Sequence, residues 1–257
     1  MKKPTTTRTN ALKSLNKEAL IRSSWLASAF GFVFLYVGLV LKTVLGFGLN
    51  ARVIHALCCV SLIVMYGACI CFKTPSVNAQ KLLRDGDFRS LLVACSFLGM
   101  RRALVPMLPF FFLSCLSISA YVVKNRKMFE KSPLFEHSLS LSSRRDEVTL
   151  LAFKIEIVSI PILFLFMLMG AADLFVVVSY ISLVWFEYNT NPCMKKAVKE
   201  VVSLLDSAFE SPIFSSSIRK RYHLLKEHVS VRVKKMQEPD SSKEKEKTHE
   251  KPDEKNK

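Results

Sequence analysis

The chain's five histidines stand at 55, 137, 223, 228 and 249. None falls in an HExxH or Hx4D arrangement, and His223 and His228 are five apart, which is off one helical face. The seven cysteines lie at 58, 59, 69, 71, 95, 115 and 193. Only Cys193 is in a polar stretch, and Cys69 and Cys71 are too close for a paired CxxC ligand spacing. Thiols inside apolar runs act as packing groups, so neither a zinc site nor a disulfide framework is expected. The ionisable groups in or bordering the first, second and fourth apolar blocks are His55, Glu156 and Asp173. A charge within a membrane is a functional candidate by default. However, Glu156 sits at a block edge, Asp173 at a turn and His55 near a helix start. All three are therefore expected at the membrane interface. With 8 glycines in the chain, a glycine-rich phosphate loop is not expected. No catalytic residue, metal or cofactor is expected.

The elements around these groups divide sharply. Half the residues are apolar, the mean hydropathy is +0.26 and the net charge is +16, from 37 Lys and Arg against 21 Asp and Glu. A soluble basic domain interleaves its charges with its apolar residues. Here they form separate blocks, the pattern of a membrane protein with basic loops and tails. Ser24 to Leu41 carries no charge, follows a long basic leader and shows no small-residue cleavage site, so it reads as an uncleaved membrane helix. Val53 to Phe72 is a second apolar run. A third spans Ser90 to Val123, interrupted by Arg101-Arg102. Its first part, Leu91 to Met100, is about 15 Å long as a helix and too short to cross, whereas Ala103 to Val123 is long enough. The fourth runs from Ile157 to Phe186 with Gly170-Ala-Ala-Asp173 at its middle. A break there leaves two arms of about 20 Å, a hairpin resting in one leaflet. The Ser-rich 138–143 followed by Arg144-Arg145 reads as a flexible loop.

Basic clusters lie at 1–22, 73–89, 124–154 and 195–235, and only Lys42 and Arg52 separate the first two helices. Hairpins in blocks three and four put all four clusters on the cytosolic side, with both termini cytosolic. The expected fold is an all-α integral membrane protein of about four apolar helical blocks, some of them hairpins. The expected divisions are a basic segment (1–23), a membrane domain (24–186), amphipathic basic helices (187–236) and a disordered charged tail (237–257).

Within 187–236, Met194, Ala197, Val198, Val201, Val202, Leu205, Ala208 and Phe209 recur at helical spacing after Pro192, and Ser211-Pro212 ends that helix. A second stripe follows from Ile218 to Met236. Ile218, Tyr222, Leu225, Val229 and Val233 form an apolar face suited to insertion. Lys220, Lys226, Lys234 and Lys235 suit anionic headgroups. The same helix also suits packing on its predecessor or serving as a basic ligand for a partner.

Several short segments, taken in order, resemble one family. Leu82-Leu83-Arg84-Asp85-Gly86-Asp87-Phe88 leads into an apolar run. Leu108-Pro109-Phe110-Phe111-Phe112-Leu113-Ser114 has Tyr121 seven residues on. Trp25-Leu26 opens the first helix, and Tyr188 with Asn191-Pro192 opens the tail. Together they are similar to the transmembrane protein 33 (Krüppel homologue 2) family, which includes yeast pore-membrane proteins of the nuclear envelope. The resemblance implies a multi-pass protein of the endoplasmic reticulum and nuclear envelope, linked to tubule shape and nuclear pore complex assembly or distribution. The partners it implies are reticulon-type proteins, nucleoporins and an import receptor. The residue pattern itself adds the lipid bilayer, with its anionic headgroups, as a partner. It also adds a physical route, since short hairpins and a basic amphipathic helix enlarge one leaflet and favour curvature. A small multi-spanning channel or transporter is the alternative. It needs ionisable groups deep in the bundle and duplicated broken helices. Nucleic acid is not expected, because the tail has few aromatics and no fold signature.

Overall fold

The computed structural model describes residues 5–46, 50–73, 82, 85–100, 104–210, 217, 220–224 and 226–228, with side chains from Glu18 onward. Among them all regular structure is helical. The helices are α1 (Thr5–Leu45), α2 (Ala51–Lys73), α3 (Gly86–Phe97), α4 (Leu104–Lys124), α5 (Arg126–Phe129), α6 (Pro133–Ser143), α7 (Arg145–Leu168), α8 (Leu174–Thr190) and α9 (Pro192–Glu210). By its contacts the chain divides into two compact units, residues 1–201 and 202–257. Arg101, Arg102, the side chains of the basic leader and the expected disordered tail (237–257) lie outside the described residues.

Local chemistry sets most helix ends. The carboxylate of Asp85 caps α3 by accepting from Asp87 N at 2.9 Å, and the Ser132 hydroxyl caps α6 by accepting from Leu134 N at 3.3 Å, with Pro133 at the first helical position. The break expected at Gly170 to Asp173 is present and is a Schellman turn. Ala171 N donates to Phe166 O at 2.8 Å and Gly170 N to Met167 O at 3.0 Å, with Gly170 left-handed at φ +67°. A side chain there strains the backbone, so Gly170→Ala is expected to lower the unfolding free energy by about 1 kcal/mol. Thermal or SDS titration of the purified protein in detergent checks this, and an unchanged midpoint contradicts it.

Two expectations need correction. The arms on either side of this turn are not about 20 Å long. Helix α7 starts at Arg145, twelve residues before the apolar run, and has 24 residues. It is therefore about 36 Å long, and α8 with 17 residues about 25 Å. Charge does not stop a helix: Asp146 and Glu147 occupy its first turn, where acids favour the dipole. Four helical stretches, Glu18–Leu45, Ala51–Lys73, Leu104–Lys124 and Arg145–Leu168, are long and apolar enough to cross a membrane. Residues 138–143 are not a loop either. They belong to α6, which packs on α4, and the Ser119 hydroxyl donates to Ser138 O at 2.5 Å.

Six helices close into a ring in which neighbours are antiparallel: α1 beside α2, then α3, α8, α7, α4 and α1 again. Arg22 lies over Phe72, Lys73 pairs with Asp87, Gly99 approaches Asp173 and the Tyr36 hydroxyl donates to Leu104 O at 2.8 Å. These contacts place Gly46 and Asn50, Gly99 and Leu104, and the turn at Met169–Asp173 at one end of the ring. Glu18, Lys73, Gly86, Lys124, Arg145 and Thr190 mark the other end. Large side chains fill the ring's centre. Phe97 meets Phe110 edge-on at 6.0 Å and Tyr180 at 6.2 Å, and Tyr66 meets Phe110 at 6.1 Å. Outward-facing residues are also apolar. Phe34, Leu168, Met169 and Leu174 are 65–78% exposed, a greasy exterior that only lipid or a partner satisfies.

Candidate functional site

Two features distinguish this bundle from inert scaffolding: a set of buried polar side chains and a basic helical tail. Glu156 and His55, expected at the interface, are buried, 3% and 5% exposed. Because α7 begins at Arg145, Glu156 lies in mid-helix and turns toward α8, where Tyr180 and Glu187 are its electrostatic neighbours. Ser159, one turn on, is fully buried. His55 is in the second turn of α2 with its Nε2 3.9 Å from Cys59 Sγ. The missed signal was helix phase, since counting from Arg145 rather than Ile157 moves Glu156 off the edge. Asp173 is exposed, as expected of the turn. Arg89 bridges α3 to α8, donating to Ser182 Oγ at 2.8 Å and lying over the Phe186 ring at 4.7 Å. Among the described residues no three His, Cys, Asp or Glu side chains converge as a metal ion requires.

Helix α8 runs on to Thr190, and α9 starts at Pro192. Asn191 precedes the Pro192 start, and its side chain accepts from Cys193 N at 3.0 Å. The first half of the α9 stripe, Met194, Ala197 and Val201, is buried. Glu200 pairs with Lys154 of α7 at 2.5 Å, which holds the Glu200 carboxyl below the usual carboxylate range. Farther along, Leu204 and Leu205 stand exposed.

Of the nine residues expected to meet membrane, Lys220, Tyr222 and Lys226 fall among the described residues. Ile218, Leu225, Val229, Val233, Lys234 and Lys235 lie outside them. Lys220 is exposed. Tyr222 and Lys226, read as apolar face and polar face, converge instead on one carboxylate. The Tyr222 hydroxyl donates to Asp206 Oδ1 at 2.8 Å, and Lys226 Nζ donates to both Asp206 oxygens at 2.8 and 2.6 Å. The Tyr222 ring stacks on Phe209, centroids 4.3 Å apart. Sequence periodicity lists each helix by itself, so a partner sixteen residues away is invisible to it.

The bond from Lys226, then that from Tyr222, lowers the Asp206 pKa. A carboxylate depressed on folding stabilises above its ordinary range, and that contribution is lost as pH falls through the depressed value. Burial, followed by the bond to Asp206, pushes Tyr222 up to about 12. A raised group contributes below its ordinary value of about 10 and loses that contribution as pH rises through the raised one. The clasp is thus firm across neutral pH. Difference absorbance at 295 nm against Tyr222→Phe is expected to show a phenol midpoint near 12, lowered by Asp206→Asn. A wild-type midpoint near the ordinary ~10 contradicts the clasp.

A family model described as transmembrane protein 33/nucleoporin POM33 matches residues 4–233. No curated protein matches the chain, and no solved structure does.

Proposed function

Because the chain belongs to the transmembrane protein 33/nucleoporin POM33 family, matched over residues 4–233 of 257, we propose that it is a non-enzymatic protein of the endoplasmic reticulum and nuclear envelope membranes. In this role it shapes or senses curvature, and it supports tubule organisation and nuclear pore complex assembly or distribution by recruiting partners. The observation that carries this reading is the asymmetry of the ring. Among the described residues one end holds only helix termini and the turn at Met169–Asp173. The other holds α5, α6, the start of α9 and the cations Lys73, Lys124, Arg126 and Arg145. Positive loops favour the cytosolic side. More protein area in that leaflet than in the opposite one makes a wedge, and an inserted basic helix widens it. Reticulon-type proteins and nucleoporins fit the apolar exterior, and an import receptor fits the basic helix.

Cysteine accessibility in sealed microsomes tests the orientation. A single cysteine at 128 is expected to react from outside, and one at 99 only after permeabilisation. The reverse pattern defeats the wedge. For the tail, Leu225→Asp with Val229→Asp is expected to abolish binding of a 194–236 peptide to small anionic vesicles. Undiminished binding rejects insertion.

Burial of Glu156 favours one rival, a small channel or transporter. Ion flux into proteoliposomes that disappears in Glu156→Gln would establish it. The aromatic packing at the ring's centre supports the structural reading instead.

A further inference from the structure

Between α1, α2 and α4, at the charged end of the ring, an open groove of about 350 Å³ is lined by Arg22, Trp25, Phe72, Lys73, Tyr121 and Lys124. Its floor is apolar and aromatic. Trp25 and Tyr121 lie 6.0 Å apart, and the Arg22 guanidinium covers the Phe72 ring at 5.5 Å. Three cations stand at its rim. Lys73 is tied to Asp85 and Asp87. Arg22 has Glu18 at 4.0 Å, both well exposed, a pairing that holds it loosely. Among the described residues no carboxylate lies within ion-pair distance of Lys124. Tryptophan, tyrosine and snorkelling cations collect at headgroup depth, and basic pockets between membrane helices take anionic headgroups.

We propose that this groove holds one anionic glycerophospholipid of the surrounding bilayer. Its phosphate lies between Arg22 and Lys124, and its glycerol and upper acyl carbons lie against Trp25, Phe72 and Tyr121. A soluble phosphoester shares the charge but cannot use the aromatic floor. The proposal rests on the chain lying in a bilayer with this end at an interface. It does not depend on curvature or on the C-terminal helix.

The chain has two tryptophans, so Trp185→Phe leaves Trp25 as the only one. That full-length variant, in phosphatidylcholine nanodiscs, is titrated with brominated phosphatidylserine or brominated phosphatidylcholine while Trp25 fluorescence is read. The anionic lipid is expected to quench at roughly tenfold lower mole fraction. Trp25→Phe, reporting from Trp185, is expected to show little preference. Arg22→Gln with Lys124→Gln is expected to equalise the two lipids, whereas Arg22→Lys with Lys124→Arg retains the preference. Millimolar glycerophosphoserine is expected to leave quenching unchanged. Equal quenching in the parent protein overturns the site, and so does a preference that survives the glutamine pair. Displacement by the soluble headgroup overturns the lipid assignment. The microsome and peptide tests do not involve Arg22 or Lys124, so the two readings fail separately.

Discussion

Phe97→Ala is expected to destabilise the ring by about 2–3 kcal/mol. In soluble cores a Phe→Ala change costs about 3–5 kcal/mol, part transfer and part cavity. Lipid tails are as apolar as the side chain they replace, so in a bilayer the transfer part shrinks and the lost packing remains. Phe97 has no exposed surface. It is the largest fully buried side chain of α3, which has 12 residues. It also joins three helices, meeting Phe110 of α4 and Tyr180 of α8. Without it α3 keeps Val93 and Ala94 as its apolar buried contacts, and the α3–α8 seam loosens. Phe34→Ala removes the same number of atoms from a site 72% exposed and is expected to change stability by less than about 0.5 kcal/mol. SDS or thermal unfolding of both variants in the same detergent decides the matter. Equal losses would mean that the aromatic centre does not hold the ring together.

The second large effect concerns the clasp. Asp206→Ala is expected to raise the affinity of a 194–236 peptide for phosphatidylserine vesicles roughly fivefold. Each cation near an anionic surface contributes about 1 kcal/mol. The substitution removes the one negative charge that offsets Lys226, worth about 1 kcal/mol by that rule. It also frees Tyr222 from its hydrogen bond. Vesicle flotation measures the change. An affinity unchanged or lowered would show that Asp206 does not restrain the helix, and high salt should shrink the gain.

Helix ends were the part of this fold most open to sequence reading. Gly170 and Asp173 announced a turn, and Pro192 and Ser211-Pro212 bracketed α9, because those residues act through their own backbone. What stayed hidden was set by distant parts of the chain. Apolar runs measure where lipid can lie, not where helices begin, so the start of α7 and the burial of Glu156 went unseen. Serine content suggested a loop at 138–143, yet Ser132 and Pro133 start a helix there and α4 gives it a surface. The insertion of α8 between α3 and α7 in the ring has no local signature. Nor has the meeting of Tyr222 and Lys226 at Asp206. The family resemblance, by contrast, rested on short ordered motifs and agrees with the family match over residues 4–233.

Helix α3 is only about 18 Å long, and Leu92, Cys95 and Leu98 point outward from it. Lipid along that flank meets a shortfall of about 12 Å against a hydrocarbon layer of about 30 Å, whereas around α1 and α7 there is none. In the proposed membrane setting the bilayer would thin along that flank, at a fraction of a kcal/mol for each ångström of mismatch. In the proposed role, one thin flank would favour sites where the lipid is already compressed or tilted, such as the margin of a membrane opening. Hydrophobic thickness alone would then sort it to such margins, whatever its charged tail is doing.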